Sequence, residues 1–268
     1  MMDSFEVIPT GGALGAEVRG LDLCHELDGE TVGVLRGAFL DHCVLFFRGQ
    51  AITQEDLVRF TRYFGRPVPH VRPQPDRPIE EIFVISNVTE DGKPIGALGS
   101  EEIPFHSDLS YLPEPGTISL LYALEIPDEG GETMWANGYA SYEALAPGIK
   151  SRIDGLNAVH RHPIDTLNTP EPTMHPVVRI HPETERKVIY VSPHLTHHIT
   201  DMERESGQVL LDELIAHATD ARFVWKHRWQ VGDLVMWDNR CTMHRRTPFD
   251  DGQRRVMWRT QVFGAGTR

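Results

Sequence analysis

The sequence predicts a mainly β protein, folded as a β-sandwich or jelly-roll barrel with helical insertions. Many short strand-like segments, separated by turn-forming residues, run through most of the 268 residues. Only a few segments carry helical periodicity, and strands and helices do not alternate regularly as they would in a doubly wound sheet. None of the strand-like segments is followed by a glycine-rich phosphate loop. These observations favour an antiparallel β architecture.

The strand predictions rest on runs of apolar and β-branched residues bounded by turn-forming residues. The predicted strands are residues 5–9, 16–23, 43–49, 82–88, 117–126, 132–137, 177–181, 187–192, 222–229, 233–239 and 254–263. The predicted helices are residues 31–42, 53–65, 139–146, 149–156 and 206–219. No internal repeat and no low-complexity tract interrupts this order, which predicts one domain over residues 1–268.

The second predicted helix has signals at both ends. Thr53 and Asp56 have the spacing of an N-terminal cap, in which the threonine oxygen accepts from a backbone N–H of the first turn. Leu57, Phe60 and Phe64 follow at helical spacing, and Gly65 is expected to end the helix. An amphipathic helix against a sheet is therefore predicted here.

Composition excludes several classes of partner. The net charge of −13 disfavours nucleic acid and anionic membranes. The apolar runs are too short for a membrane span, and the start of the chain lacks the apolar core of a secretory signal. Three cysteines without CxxC spacing favour a reduced, cytoplasmic location.

His106 and Asp108 lie two positions apart in the segment "PFHSDLSYL". In an extended chain, alternate residues point to one side, so both side chains would reach into the same space. They would form either a hydrogen-bonded pair or two ligands of a metal. The chain has 14 histidines, so the spacing alone is weak evidence. Two other histidine clusters lack a carboxylate in register and are expected at the surface or in a polar core: His160 with His162, and His194 with His197 and His198.

His244 is the natural third ligand. Two histidines and one carboxylate on one side of a metal leave its other positions open, as in non-haem Fe(II) oxygenases. A closed structural zinc site would need four protein ligands, commonly including cysteine, and no cysteine is spaced to supply one.

The segment 240–259 is rich in arginine, which indicates either an anion site or a solvated, ion-paired edge. If residues 254–260 form a strand, Arg255 and Arg259 share one face with Met257. Two inward guanidiniums need anionic partners, and their planar shape suits carboxylates. The outward alternative would pair both arginines with surface acids.

Several motifs together resemble one known family. They are "LFFRGQ", "FTRYFG", "FHSDLSY", "GGETMWAN", "HPVVRIHPETERK" and the segment "HATDARFVWKHRWQVGDLVMWDNRCTMHRR", with an arginine eleven residues after His244. The chain resembles the taurine and 2,4-dichlorophenoxyacetate dioxygenases, and is most similar to the phenoxyacetate branch. The resemblance implies a distorted jelly roll, the cupin-like double-stranded β-helix.

The resemblance also implies the site. His106, Asp108 and His244 would hold Fe(II), and 2-oxoglutarate would bind to the metal and to Arg255 and Thr133. Arg259 and His70 would contact the primary substrate. Two departures from the taurine branch, Pro73 and Glu102, concern the substrate side and argue against taurine itself. The loops around residues 68–78 and 91–104 are expected to act as lids, and Trp135, Trp237 and Trp258 are more often core than pocket residues.

The implied activity is hydroxylation of a small anionic organic acid, of the aryloxyalkanoate, sulfonate or related carboxylate type. The reaction would consume O2 and 2-oxoglutarate and release succinate and CO2, and the hydroxylated product can break down. The family implies a homo-oligomer, either a dimer or a tetramer. Three alternatives remain open: biosynthetic oxidation of an amino-acid derivative at the same iron centre, a zinc-dependent hydrolase, and a non-catalytic protein that binds small acids.

Overall fold

The computed structural model describes residues 5–74 and 77–264. Its strands, numbered in chain order, form one large sheet and several smaller ones. The large sheet has the order β1 (Glu6–Pro9), β2 (Ala16–Arg19), β3 (Val44–Phe47), β16 (Leu234–Asp238), β8 (Gly116–Glu125), β18 (Val256–Phe263) and β4 (Phe83–Ser86). Its pairs are antiparallel except β2 with β3.

A four-stranded antiparallel sheet packs against the large one. Its order is β15 (Val224–His227), β9 (Thr133–Asn137), β17 (Thr242–Arg246) and β7 (Ile103–His106). The remaining strands form a three-stranded sheet, β11 (Thr173–Pro176), β10 (Asn157–His160) and β14 (Thr196–Ile199), and two hairpins, β12 (Val178–Ile180) with β13 (Lys187–Ile189) and β5 (Thr89–Glu90) with β6 (Lys93–Pro94).

The core lies in the space between the two main sheets. Trp135 on β9 meets Trp237 on β16 there, with ring centroids 5.6 Å apart, and Met257 on β18 belongs to the same cluster. The alternate residues of β18, such as Val256 and Val262, face the opposite side of the large sheet. Two facing, mostly antiparallel sheets with an apolar interior are a jelly roll, so the predicted fold class is confirmed.

Helices cover the outer face of the large sheet. They are α1 (Gly29–His42) and α2 (Gln54–Arg62), and Phe39 and Phe60 bury their rings with Phe47 of β3. The predicted cap of α2 is present as a reciprocal box, because Thr53 accepts from the Asp56 backbone and Asp56 accepts from the Thr53 backbone.

The end of α2 differs from the prediction. The helix ends at Arg62 rather than at Gly65. Gly65 lies where the chain passes β18, and a Cβ there would come within 2.4 Å of the Val262 side chain. This glycine therefore permits a close approach between two segments and does not end the helix.

The other helices are α3 (Gly138–Glu143), α4 (Pro147–Ile153) and α5 (Arg204–Ala218), with 3-10 turns at Asp165–Leu167 and Ala221–Phe223. Leu210, Leu211 and Leu214 of α5 are buried, as their spacing predicted. Strands β7, β10, β11, β14 and β17 were not predicted. Each has only four or five residues, with at least one histidine among them, so the period-two apolar pattern is too weak to identify them.

The described helices include none that is long and apolar enough to cross a bilayer. Cys24, Cys43 and Cys241 are free thiols, and the last two are buried.

Candidate active site

Two neighbouring strands and a turn bring the three predicted metal ligands together. His106 ends β7, Asp108 follows two residues later, and His244 lies in the middle of β17, where it is paired with His106. One potential ligand atom from each of the three side chains lies within 4.8 Å of the other two. The Oδ1 atom of Asp108 is 3.7 Å from His106 Nε2 and 3.9 Å from His244 Nε2.

Hydrogen bonds orient two of these side chains. The Nδ1 of His106 lies 2.8 Å from the Pro104 carbonyl, which can only accept, so the neutral ring carries its proton on Nδ1 and its lone pair on Nε2. The Ser119 hydroxyl donates to Asp108 Oδ2 at 2.7 Å, which leaves Oδ1 directed at the histidines. Separations of 3.7 and 3.9 Å are too long for hydrogen bonds, and they suit three donor atoms arranged around one cation. The triad therefore fits a metal ion.

The protonation states agree with this arrangement. Burial lowers the pKa of His244 to about 3, with a further contribution from His106, so its ring is neutral at pH 7. Burial opposes ionisation of Asp108, but Arg259 and His244 outweigh it and hold the pKa of that carboxyl well below 3.8. Neutral imidazole and ionised carboxylate are the forms that donate electron pairs to a metal.

A cavity beside the triad holds the predicted cosubstrate residues. Thr133 on β9 and Arg255 before β18 line it together with His244 and a residue that was not predicted, Arg246 on β17. Burial and the nearby Arg246 lower the pKa of Arg255 to about 9. Among the described residues, neither guanidinium contacts a carboxylate, and the Nε atoms of both lack hydrogen-bond partners. Two buried cations of this kind need an anion, and the carboxylate of 2-oxoglutarate fits that requirement.

Two consecutive glycines lie next to Arg255 and Pro248. Gly130 and Gly131 both adopt positive φ, at 78° and 67°. A Cβ on Gly130 would come within 2.4 Å of the Pro248 carbonyl oxygen, and one on Gly131 would lie 3.4 Å from Arg255 Nε. The "GGETMWAN" segment therefore needs glycine at both positions for its backbone conformation, and at Gly130 also for the close approach to Pro248.

A second cavity beside the triad holds the predicted substrate residues, of which Arg259 also lines the first cavity. Arg259 is buried, and its Nη1 lies 3.5 Å from Asp108 Oδ1. His70 packs on Phe83 with ring centroids 4.0 Å apart, and burial together with Arg259 lowers the pKa of His70 to about 3. Both predicted residues line this cavity. The strand face of Arg255, Met257 and Arg259 thus points inward, not to the surface.

Several residues of this cavity were not predicted. Arg72, Tyr111, His162 and His194 line it, although the two histidines had been expected at the surface or in a polar core. They come from separate loops and turns, so no sequence spacing relates them. His197 and His198 are exposed, as expected. Arg246 could have been found, because it shares the face of His244 once β17 is recognised as a strand.

The structure also shows where the two loops expected to act as lids lie, and where Glu102 lies. Leu98 of the second loop lines both cavities, and His70 of the first lines the substrate side, whereas residues 75 and 76 of the first loop lie outside the described residues. Glu102 is exposed and pairs with Arg245 at 2.9 Å. Trp237 borders the cosubstrate cavity, whereas Trp135 is fully buried in the core.

Two other groups of potential ligands were found among the described residues. His181, Asp238 and Cys241 are buried together, but His181 donates to Asp238 at 3.0 Å and accepts two backbone N–H groups at its other nitrogen. Arg240 also binds Asp238, so this group is a satisfied hydrogen-bond network. The group of Asp22, Cys24 and His25 lies largely at the surface.

The fold and the triad define a class, the jelly-roll dioxygenases that depend on Fe(II) and 2-oxoglutarate. The family "Taurine catabolism dioxygenase TauD, TfdA family" matches residues 6–261. The chain belongs to this family. Enzymes of the class use Fe(II), 2-oxoglutarate and O2.

Individual relatives are similar along nearly their whole length. The chain is 33% identical over 275 residues to the alpha-ketoglutarate-dependent 2,4-dichlorophenoxyacetate dioxygenase of Cupriavidus pinatubonensis, covering 94% of this chain and 95% of that one. It is 32% identical to pentalenolactone F synthase of Streptomyces arenae, covering 94% and 93%. A crystal structure of a taurine dioxygenase from Burkholderia xenovorans superposes with a TM-score of 0.84 at 34% identity, covering 98% and 90%.

Proposed function

We propose that the protein hydroxylates a small anionic organic molecule, with O2 as oxidant and with conversion of 2-oxoglutarate to succinate and CO2. One observation carries this proposal. The three ligand atoms of His106, Asp108 and His244 converge beside a cavity in which the buried Arg255 has no carboxylate partner among the described residues. A dicarboxylate that binds a metal at one end needs a cation for its other carboxylate, and an unpaired guanidinium beside the metal site provides it.

Each residue has a defined task in this proposal. His106, Asp108 and His244 would hold Fe(II), and Arg255, assisted by the Thr133 hydroxyl, would bind the far carboxylate of 2-oxoglutarate. The bound iron would supply the O2 chemistry that oxidises a C–H bond of the substrate. Ser119 keeps Asp108 oriented by its hydrogen bond of 2.7 Å. Arg259 and His70 would hold the acidic substrate in the cavity that both of them line.

Both cavities have apolar side chains in their lining. Leu98 and Ile103 line both cavities, and Phe83 lines the substrate side. Such a lining keeps the reaction away from bulk solvent and strengthens the electrostatic contacts of the arginines.

The substrate class is proposed as aryloxyalkanoates, sulfonates or related carboxylates. The similarity to a 2,4-dichlorophenoxyacetate dioxygenase supports an aryloxyalkanoate. Pro73 and the outward Glu102, where the taurine branch has other residues, argue against taurine.

The experiment is a screen for succinate release by the Fe(II)-loaded enzyme. Aryloxyalkanoates, alkyl sulfonates, sulfate esters and N-substituted amino acids are compared for their stimulation of succinate formation above the rate without substrate. We expect stimulation that requires O2. A metal hydrolase would turn over without O2 and form no succinate, and a non-catalytic binding protein would consume neither O2 nor 2-oxoglutarate.

A second candidate is biosynthetic oxidation of a small acid, for example an amino-acid derivative, at the same iron centre. The similarity to an enzyme named as a synthase supports it. Product analysis distinguishes the two, because desaturation or ring formation leaves no oxygen from O2 in the product, whereas hydroxylation does.

We further propose that residues 1–268 form one catalytic domain that acts in the cytoplasm as a homodimer or homotetramer. The family match over residues 6–261 supports one domain, and the three free thiols support a reducing compartment. The net charge of −13 supports a protein that binds neither nucleic acid nor anionic membranes.

A further inference from the structure

Arg246 is a buried arginine at the end of β17, and sequence analysis did not include it in the site. Its antiparallel partner on β9 is Thr133, and paired residues of neighbouring strands place their Cβ atoms about 5 Å apart on the same face. Arg246 also follows the predicted ligand His244 by two residues, and both line the cavity that contains Thr133 and Arg255. The sheet therefore holds this guanidinium beside the residues expected to bind 2-oxoglutarate.

Contacts with the protein satisfy only part of the Arg246 guanidinium. Its Nη2 donates to the carbonyl oxygens of Gly99 and Glu101, and its central carbon lies 5.2 Å from the centre of the Phe249 ring. Its Nε and Nη1 atoms, which together carry three N–H groups, are buried and have no partner among the described residues. Carbonyl groups and an aromatic ring carry no net negative charge. Three buried N–H groups of a cation therefore remain available to an anion.

Two neighbouring side chains also have unused donors. The Nε of Arg255 is buried without a partner among the described residues. Burial and the charge of Arg246 lower the pKa of Arg255 to about 9, so Arg255 is protonated at pH 7 and the two cations lie close enough to act on each other. The Thr133 hydroxyl accepts from Trp229 Nε1 at 3.0 Å, and an indole N–H can only donate, so the hydroxyl proton is left for another acceptor.

The cavity lining does not offset these charges. None of the described residues that line this cavity is an aspartate or a glutamate. A third lining arginine, Arg259, lies 3.5 Å from Asp108 of the triad, whereas Arg246 and Arg255 have no such partner among the described residues. A carboxylate has about four lone-pair sites on two oxygens, so one carboxylate can accept from two guanidiniums and a hydroxyl together.

We propose that Arg246 binds the far carboxylate of 2-oxoglutarate together with Arg255, and that it thereby sets the preference of the enzyme for a 2-oxo acid with two carboxylates. This inference rests on the proposed function, because it adds a binding residue for the same cosubstrate. The alternative is that Arg246 only anchors the loop that contains Gly99 and Glu101. Loss of a loop anchor would affect every ligand of the cavity alike, whereas loss of a carboxylate-binding residue affects only ligands that carry the far carboxylate.

The test compares two cosubstrates that differ only at the far end. 2-Oxopentanoate has the chain length and the metal-binding end of 2-oxoglutarate, with a methyl group in place of the far carboxylate. Binding of each compound to the Fe(II)-loaded enzyme is measured by calorimetry in the absence of O2. The wild type should bind 2-oxoglutarate at least about 100-fold more tightly, because 2-oxopentanoate lacks both charge-assisted contacts.

Three variants locate the source of this preference. Arg246→Gln removes the charge and should lower the affinity for 2-oxoglutarate by at least about tenfold, and that for 2-oxopentanoate by less than about twofold. Arg246→Lys keeps a charge without the planar fork, so its preference should lie between those of the wild type and Arg246→Gln. Arg245→Gln is the matched control, because Arg245 precedes Arg246 on β17, pairs with Glu102 at 2.9 Å, and does not line the cavity. It should leave both affinities unchanged.

The outcomes separate this inference from the proposed function. Thermal unfolding of the metal-free variants shows whether each is folded, and Arg246→Lys decides alone if Arg246→Gln is not. A preference that is unchanged in a folded Arg246 variant contradicts the inference, even if both affinities fall, and so does a wild type that binds both compounds equally. If the wild type releases succinate in the substrate screen while this contradiction is found, the proposed function stands and the inference fails. If no compound stimulates succinate release by the wild type, the proposed function fails, and the binding comparison still decides the role of Arg246.

Discussion

His106 and His244 are paired residues on the antiparallel strands β7 and β17, and their imidazole rings lie 4.2 Å apart. This pairing joins segments that are far apart in the sequence. Because a paired residue on a neighbouring strand lies about 5 Å away, the sheet itself fixes the distance between the two ligands. Asp108, in the turn after β7, then completes the triad. Four predictions follow from this arrangement and from the hydrogen bonds around it.

Loss of one triad member should abolish metal binding. In His244→Ala the remaining two ligands cannot define the site, and we expect the affinity for Fe(II) to fall by more than about 100-fold, the upper range for loss of an outer-sphere partner. Anaerobic titration measures it, and the visible band of the Fe(II)–2-oxoglutarate complex should be lost. His197→Ala, at an exposed histidine, should retain both. An unchanged Fe(II) affinity in His244→Ala would remove this residue from the site.

Ser119 should affect the affinity for the metal although it is not one of the predicted ligands. Its hydroxyl donates to Asp108 and accepts from Asn239 and Gln261. In Ser119→Ala, Asp108 loses the bond that orients it, and we expect metal affinity to fall by about 10-fold. Ser141→Ala is a matched control, because that serine is equally buried and bonds only to a helix carbonyl. Equal metal affinity in the two variants would show that the Ser119 bond is only structural.

Substitutions of Arg255 and Arg259 should affect the KM values of two different ligands. Arg255→Ala should raise the KM for 2-oxoglutarate by roughly 10- to 100-fold, since it removes a buried charge-assisted contact. Arg259→Ala should instead raise the KM of the acidic substrate and leave slow succinate formation without substrate. Steady-state kinetics with each ligand varied in turn measures both effects. Arg254→Gln, at an exposed arginine paired with Glu125, should change neither KM. The reverse pattern would exchange the two roles.

Asp238 should contribute to stability in a pH-dependent way. Burial opposes its ionisation, but Arg240 and His181 outweigh it and lower the pKa of Asp238 from 3.8 to about 2. A carboxyl whose pKa is lower in the folded state stabilises the fold fully above pH 3.8, and this stabilisation is lost as pH falls towards 2. Asp238→Asn also leaves Arg240 without its closest anion, so we expect a loss of about 3 kcal/mol at pH 7.

Urea unfolding of the wild type and Asp238→Asn, at pH 7 and again near pH 3, tests this expectation. The difference between the two proteins should shrink at the lower pH. Asp41→Asn, at an exposed aspartate, controls for the general effect of removing a negative charge. A difference that is independent of pH would mean that Asp238 acts by packing and not by its charge.

Local sequence signals determined some features of this protein directly. The cap of α2 depends on Thr53 and Asp56, which are three residues apart. The alternation of Arg255, Met257 and Arg259 placed these residues on one face, and the structure decided that this face is buried. Interactions over a few residues have fixed geometry, so their pattern is visible in the sequence. The triad itself was identified from residue types and from resemblance to a family, and the structure brings its three members together.

The remaining features were decided only by tertiary structure. β17 is short and mostly polar, so no local pattern predicts a strand there. It becomes a strand because it pairs with β7 on one side and with β9 on the other. Gly65 has the sequence position of a helix stop, but in the structure it allows the chain to pass close to the Val262 side chain. Arg72, His162 and His194 meet in one cavity although they belong to different loops and turns. Such convergence depends on how sheets and loops pack over long sequence distances, and no periodicity in the chain encodes it.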